Sequence, residues 1–328
     1  MSKTFLSSGD LIADRRAHYA QMLAENGDAA AAADLMAQAL ELVPGWTAGW
    51  DLLGQYREAA GDIAGAIQAW RTLVGLDTAG VFGAPLKLAV HGAGLAPLAT
   101  DRAYVAALFD DYAEGFEAAL LQRLGYAVPE LLSKRILDRL AQRGEAGFAH
   151  ALDLGCGTGL MGERLRRHVS HLEGIDLSPG MVAETARKGI YDRLAEAELL
   201  DFLTRCGASV DLVTAADVFV YSGALPPVFV AVAGIVRPGA LFAFSIETHE
   251  GAEPCVLRPS LRYAHAPEAA LGALRDAGFT VVSATRETLR MDRGEPIPGL
   301  IVLAEWPVAR EAALVGEEAQ PVAASLVN

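Results

Sequence analysis

The chain is 328 residues long, 52% hydrophobic and carries a formal net charge of −14, a length that suits two domains and a charge that speaks against a nucleic-acid partner, since phosphate backbones are held by Lys and Arg displacing counterions. No charge-free apolar run reaches the roughly 18–20 residues that cross a bilayer, and Met1–Asp10 lacks the basic segment and apolar core of a secretory signal, so no membrane contact and a cytoplasmic location are expected. The three cysteines, Cys156, Cys206 and Cys255, make neither a CxxC pair nor an even set, which points to a reducing compartment and no structural metal.

Along the chain, an internal repeat comes first. Taking residue 13 as the start of a 34-residue unit, the next begins at residue 47, and Gly27 aligns with Gly61, Asp28 with Asp62, Ala32 with Ala66, Leu42 with Leu76. Trp50, Leu53, Gly54, Ala66 and Trp70 of the second unit, with Ala39 and Pro44 of the first, stand at the positions of a tetratricopeptide unit, where small residues let two antiparallel helices approach and large ones fill the groove of the next pair. Arg16 and Arg57 replace two of the usual large residues. Two such units need a cap, and residues 84–98 are expected to supply a degenerate third helix pair. Residues 1–100 thus read as an all-α tetratricopeptide-type domain, able to recruit a protein partner or a second copy of the chain.

The segment 102–143 reads as helices, with Phe109, Tyr112, Phe116, Leu120 and Leu124 at helical spacing; residues 101–147 are expected to form a helical lid or linker. From Phe148 the pattern becomes apolar strands alternating with helices, the mark of an α/β doubly wound sheet. Strands are predicted at 149–154, 172–177, 197–200, 210–216, 240–247, 280–288 and 299–306. Only Asp292-Arg293-Gly294-Glu295-Pro296 lies near the junction of the last two, too short for a helical crossover, so they should run antiparallel. The second domain is placed at 101–306, and residues 307–328 are expected to be a flexible tail.

The sharpest chemical signal is Asp153-Leu154-Gly155-Cys156-Gly157-Thr158-Gly159, which ends the first strand and opens a helix. Alternating glycines allow positive φ and close approach of a ligand to the main chain at a helix N-terminus. Gly157-Thr158-Gly159-Leu160-Met161-Gly162 also fits the dinucleotide pattern GxGxxG, so an NAD(P)-dependent oxidoreductase is one reading. Asp153 favours another, because an acid beside the first glycine suits the cationic amino group of an amino-acid ligand and repels a pyrophosphate. Asp176, 23 residues on, ends the second strand, where a carboxylate can accept from ribose hydroxyls in either case. Ser178-Pro179 reads as an N-cap followed by the first helical residue.

The stretch 153–159 resembles motif I of the class I S-adenosylmethionine-dependent methyltransferases, and the order of elements over residues 102–306 is similar to theirs. Bacterial predicted methyltransferases with an N-terminal tetratricopeptide segment resemble it further in Phe109-Asp110-Asp111-Tyr112 and Arg262-Tyr263-Ala264-His265. The resemblance implies a seven-stranded Rossmann-like methyltransferase sheet, S-adenosylmethionine as cofactor, and a donor site drawn from Asp153, Gly155, Cys156, Gly157, Asp176, Leu177, Met181, Asp201, Phe202 and Ala216, with Asp201 at the adenine amino group, Phe202 beside the ring, and Tyr112 as part of an aromatic lid.

The fifth strand ends in Ile246-Glu247-Thr248-His249, at the carboxyl edge where open α/β sheets bind ligands. His249 is the first candidate for acceptor contact or general base and His265 the second. Tyr221, Arg262, Tyr263 and Arg290 are candidates for the acceptor pocket, with Arg262 or Arg290 holding a carboxylate. Methyl transfer to a small-molecule acceptor is the expected activity, with a protein acceptor, the oxidoreductase reading and a non-enzymatic repeat scaffold as its rivals.

Overall fold

The computed structural model describes residues 7–110, 117, 125–207 and 209–308. Its N-terminal part is an all-α, tetratricopeptide-type array: α1 (Leu11–Glu25), α2 (Ala29–Leu42), α3 (Thr47–Ala59) and α4 (Ile63–Leu76). The repeat is written in its turns. Gly27 and Gly61 take φ of 87° and 82°, a conformation that glycine adopts without a Cβ penalty, and the next residues, Asp28 and Asp62, cap the following helices by accepting from Ala31 N–H and Gly65 N–H at 3.0 and 2.9 Å. Arg16 and Arg57, standing where large apolar residues were expected, bond across the hairpins to the carbonyls of Gln38 and Gly65.

Small residues bring the helices together. A Cβ on Gly54 of α3 would lie 2.2 Å from the Trp70 indole nitrogen of α4. The expected third helix pair at 84–98 is instead one short helix, α5 (Ala84–Val90), whose Ala84 and Leu88 cover Trp70 and Leu73. Gly92, Gly94 and Pro97 leave no run long enough for a second helix. The linker is already bonded to the C-terminal unit before residue 100: Tyr263 Oη donates to the Pro97 carbonyl, Ala99 bridges Ser222, and Thr100 N–H donates to Tyr221 O.

Between the array and the sheet the described residues include α6 (Arg102–Asp110) and α7 (Val128–Arg143); Tyr112, Phe116, Leu120 and Leu124, and the tail after residue 308, fall outside the described residues. The sheet itself has the order β3-β2-β1-β4-β5-β9-β8, built from β1 (Phe148–Leu154), β2 (Val169–Asp176), β3 (Arg193–Glu196), β4 (Val210–Ala215), β5 (Val236–Glu247), β8 (Thr280–Asp292) and β9 (Glu295–Glu305). The first five are parallel and β9 lies antiparallel between β5 and β8, as the short connection requires. Helices α8 (Leu160–Leu165), α9 (Pro179–Lys188), α10 (Leu199–Arg205), α11 (Pro226–Ala233) and α12 (Pro267–Asp276) complete the second unit.

Alternation along β5 divides the core. Phe242 and Phe244 enter a layer with Phe219, Phe229 and Leu274, while Leu241 and Ala243 face Leu132, Ile136 and Leu140 of α7. Each buried Phe is worth about 1.5–3 kcal/mol by transfer from water.

Two expectations are corrected. The third strand is at 193–196 and not 197–200, because Glu198 caps α10 by accepting Asp201 N–H, and Leu199, Leu200, Phe202 and Leu203 then pack at helical spacing on the core. A small antiparallel hairpin, β6 (Cys255–Leu257) with β7 (Tyr263–His265), follows β5 where no strand was expected. Among the described residues no helix is long and apolar enough to cross a membrane.

Gly54 and Gly75 make a paired test of the array. Gly54→Ala should lower unfolding stability by about 1–3 kcal/mol through collision with buried Trp70. Gly75→Ala, with nothing within 4 Å of its Cβ inside α4, should add about 0.5–1 kcal/mol. Denaturant unfolding of both variants checks this; equal and same-signed effects would contradict the packing described.

Candidate active site

The strand order reverses between β1 and β4, so the crevice outside their carboxyl ends is the place where an open α/β sheet receives a ligand. Into it projects the glycine loop. Gly155, Gly157 and Gly159 take φ of 60°, 54° and 90°, Gly159 capping α8. They differ in what surrounds them. A Cβ on Gly155 would lie 2.6 Å from Val218, whereas one on Gly157 would meet nothing within 4 Å. The Cα of Gly157 therefore faces open space, while its N–H donates to Asp176 and its carbonyl accepts from Thr185 Oγ1.

Buried carboxylates hold the loop from behind. Asp176 Oδ2 accepts Gly157 N–H at 2.8 Å and Oδ1 accepts Ser178 N–H at 2.9 Å; burial raises its pKa, against the lowering effect of those N–H groups. Asp153 accepts from Thr214 Oγ1 and Tyr191 Oη, both at 2.6 Å, and desolvation pushes it up to about 6. Each Asp153 oxygen thus already holds a hydroxyl, tying β1 to β4 and to Tyr191. That tyrosine was not among the predicted residues; Gly162 and Gly174 make room for it, since a Cβ on either would fall 2.4 or 2.8 Å from its ring. Its signal in the sequence was those two glycines, Gly162 closing the GxGxxG stretch and Gly174 in the second strand.

The other predicted donor-site residues are placed as follows. Cys156 N–H donates to Ile175 O at 2.9 Å, and its thiol is turned beneath the loop towards Gly174, pushed far up in pKa by burial, so only its main chain borders the crevice. Ser178 caps α9 by accepting Met181 N–H at 3.0 Å, which buries Met181 completely and leaves Leu177 half-buried at the strand tip. Asp201 sits on the first turn of α10 in an ion pair with Arg102 at 2.7 Å, which lowers its pKa, and Phe202 packs on the core. Ala216 is half-buried at the end of β4. Tyr112 lies outside the described residues. Its neighbours do reach the site: the Phe109 ring meets Tyr221 edge-on at 5.6 Å, and Asp110 accepts from Ser178 Oγ and from Gly180 N–H, the latter at 3.0 Å. Helix α6 is thereby fixed over the N-terminus of α9.

Beyond β4 and β5 stands a buried ionic cluster that the sequence did not announce. Arg290 from β8 grips Asp217 with one nitrogen at 2.8 and 2.7 Å and bonds Glu247 with another, and Arg258 lies 3.8 Å from Glu247. Asp217 has φ 61°, a strained backbone for a non-glycine residue, secured by its N–H to Ser245 Oγ at 2.9 Å. Arg290, one of two arginines expected to hold a ligand carboxylate, is instead committed to two acids of the protein.

The two candidate histidines part company here. His265 is buried in β7, 3% exposed, and donates from Nε2 to the Phe219 carbonyl at 3.4 Å; burial lowers its pKa. His249 is half-buried; its Nδ1 accepts Gly251 N–H at 3.0 Å, which leaves the proton of the neutral ring on Nε2, a buried atom without a partner among the described residues.

Residues 152–244 match a family model described as a methyltransferase domain. A TPR repeat-containing protein of Pseudomonas aeruginosa is 51% identical over 57 residues, 17% of this chain and 52% of that protein. Human methyltransferase-like protein 27 is 28% identical over 173 residues, 52% of this chain and 66% of that protein. The chain thus spans about half of one relative and just under two thirds of the other. Among solved structures, an S-adenosylmethionine-dependent methyltransferase from Clostridium acetobutylicum aligns with a TM-score of 0.47 at 17% identity, covering 61% of this chain and 99% of that one.

Asp153 gives the site a pH signature. Its folded pKa of about 6 lies above the ordinary 3.8, so the fold favours the protonated acid, and the stability it contributes is present below about pH 4 and lost as pH rises to about 6. The shift of about two units corresponds to about 3 kcal/mol. Asp153→Asn, neutral throughout, should therefore gain on the parent chain by about that amount between pH 4 and 8. A gap in unfolding free energy that stays constant across that range would contradict the burial of this carboxylate.

Proposed function

We propose that this chain, whose residues 152–244 match a methyltransferase domain, transfers a methyl group from S-adenosylmethionine to a small-molecule acceptor bound at the carboxyl ends of β4 and β5. The observation that carries this reading is the pairing of Gly157, its Cα side open at φ 54°, with the Asp176 carboxylate that pins it.

These residues fit the donor. The loop offers close main-chain approach to an amino-acid moiety; Asp176 at the tip of β2 has lone pairs left for ribose hydroxyls; and the buried carboxylates of Asp153 and Asp176 set a negative field suited to a ligand bearing ammonium and sulfonium charges. S-adenosylmethionine when bound supplies an already activated methyl group, so the protein's task is orientation and exclusion of water. Phe109 and Asp110 hold α6 across that edge. We assign His249 to the acceptor side: Nε2, which carries the proton of the neutral ring while Nδ1 accepts Gly251 N–H, would donate to the acceptor once the ring turns out of its buried position, and to take a proton it would first have to give up the Gly251 bond. His265 serves the hairpin. The repeats would recruit a protein partner or a second copy, and the location would be cytoplasmic.

Calorimetric titration tests the reading. S-adenosylmethionine and S-adenosylhomocysteine should bind and NAD should not; binding of NAD alone would favour the oxidoreductase. Asp176→Ala should weaken donor binding by about 1–3 kcal/mol, while His249→Ala should leave it unchanged. Equal loss of donor affinity in both variants would remove His249 from the acceptor side.

A further inference from the structure

We infer that the acceptor carries a single carboxylate on a flat or apolar body, and that Arg262 is the residue that receives it; this rests on the methyltransferase reading. Around the acceptor end of the crevice stand three guanidinium groups, Arg258, Arg262 and Arg290, and two carboxylates, Asp217 and Glu247. Arg290 is spent on both acids, and Arg258 is bonded to the Thr248 carbonyl at 2.5 Å and lies beside Glu247. Arg262 has no carboxylate within 4.0 Å among the described residues.

What Arg262 does have is an aromatic face: its guanidinium carbon lies over the Tyr221 ring, 6.0 Å from its centre. Burial disfavours its charge, but the nearby carboxylates of Asp217 and Glu247 more than offset this and raise its pKa, and a guanidinium stays protonated at any working pH. A half-buried guanidinium with no acid of its own is a ready partner for an anion, and its planar fork matches a carboxylate. The Tyr221 ring, touched on another side by Phe109, provides the face for an apolar body next to that charge.

The surplus of one positive charge selects the anion. A carboxylate brings one negative charge and closes the balance, whereas a phosphate dianion would leave an uncompensated charge near Asp217 and Glu247. The crevice is thereby divided, with Asp153 and Asp176 on the donor side and an unspent cation on the acceptor side.

Benzoate, benzamide and phenyl phosphate are probes of one shape and different charge. Calorimetry or saturation-transfer NMR is run on the full chain with and without S-adenosylhomocysteine. Benzoate should bind at least tenfold tighter than benzamide and tighter than phenyl phosphate, and Arg262→Gln should bring the benzoate-to-benzamide ratio to about one without changing S-adenosylhomocysteine affinity. Arg262→Lys should keep part of the preference. Failure of S-adenosylhomocysteine to bind sinks the methyltransferase reading, whatever benzoate does. With S-adenosylhomocysteine bound, absence of benzoate binding, benzamide binding as well, tighter binding of phenyl phosphate, or a preference that survives in Arg262→Gln overturns the inference alone. The ranking in the parent chain needs no variant, so misfolding of Arg262→Gln does not shield it.

Discussion

The bond from Gly157 N–H to Asp176 Oδ2 is the constraint from which the rest of the crevice follows. A glycine loop left to itself has more conformational freedom than any other segment of comparable length. Here it is tied at the side by Asp176, through Cys156 N–H to Ile175 O, and at its root by Asp153, whose oxygens hold Thr214 and Tyr191. All of these attachments reach β2, β4 or the segment after α9, so the order of the sheet decides the shape of the loop. Burial of two carboxylates for that purpose costs stability, as their raised pKa values record, and leaves a negative field behind a surface open to a cationic ligand.

The same logic in reverse governs the far end of the crevice. Glu247 is nearly excluded from water and Asp217 half-buried, and each is answered by Arg290, itself 3% exposed. Breaking one partner from such a group leaves a buried uncompensated charge, which is why the strained φ at Asp217 persists. The hairpin β6–β7 brings Arg262 and Tyr263 to this cluster, and Tyr263 in turn holds the linker at Pro97, joining the last residues of the helical array to the C-terminal unit.

What was legible in the sequence was local. The Gly-Asp turns of the repeat, the glycine loop, the Ser178-Pro179 helix start and the antiparallel return of the last two strands each depend on residues a few positions apart, and each stands in the structure where the pattern put it. What was not legible is non-local or weakly patterned. Asp217 and Glu247 lie 73 and 43 residues from Arg290, and nothing in spacing pairs them. Edge strand β3 has four residues, two of them charged, and the three-residue strands of the hairpin are too short to show alternation. The same limit explains why Asp201 and Phe202, read as strand-end donor residues, stand on a helix facing Arg102 and the core.

The central claim, that the open face of Gly157 is where the donor lies, is tested most directly by titrating Gly157→Ala with S-adenosylhomocysteine. The added Cβ meets nothing in the protein, so the variant should fold at a cost of only about 1–2 kcal/mol for alanine at positive φ, and it should lose donor affinity by about a hundredfold or more because the methyl group occupies ligand space. A folded Gly157→Ala chain that binds S-adenosylhomocysteine as tightly as the parent would contradict the account.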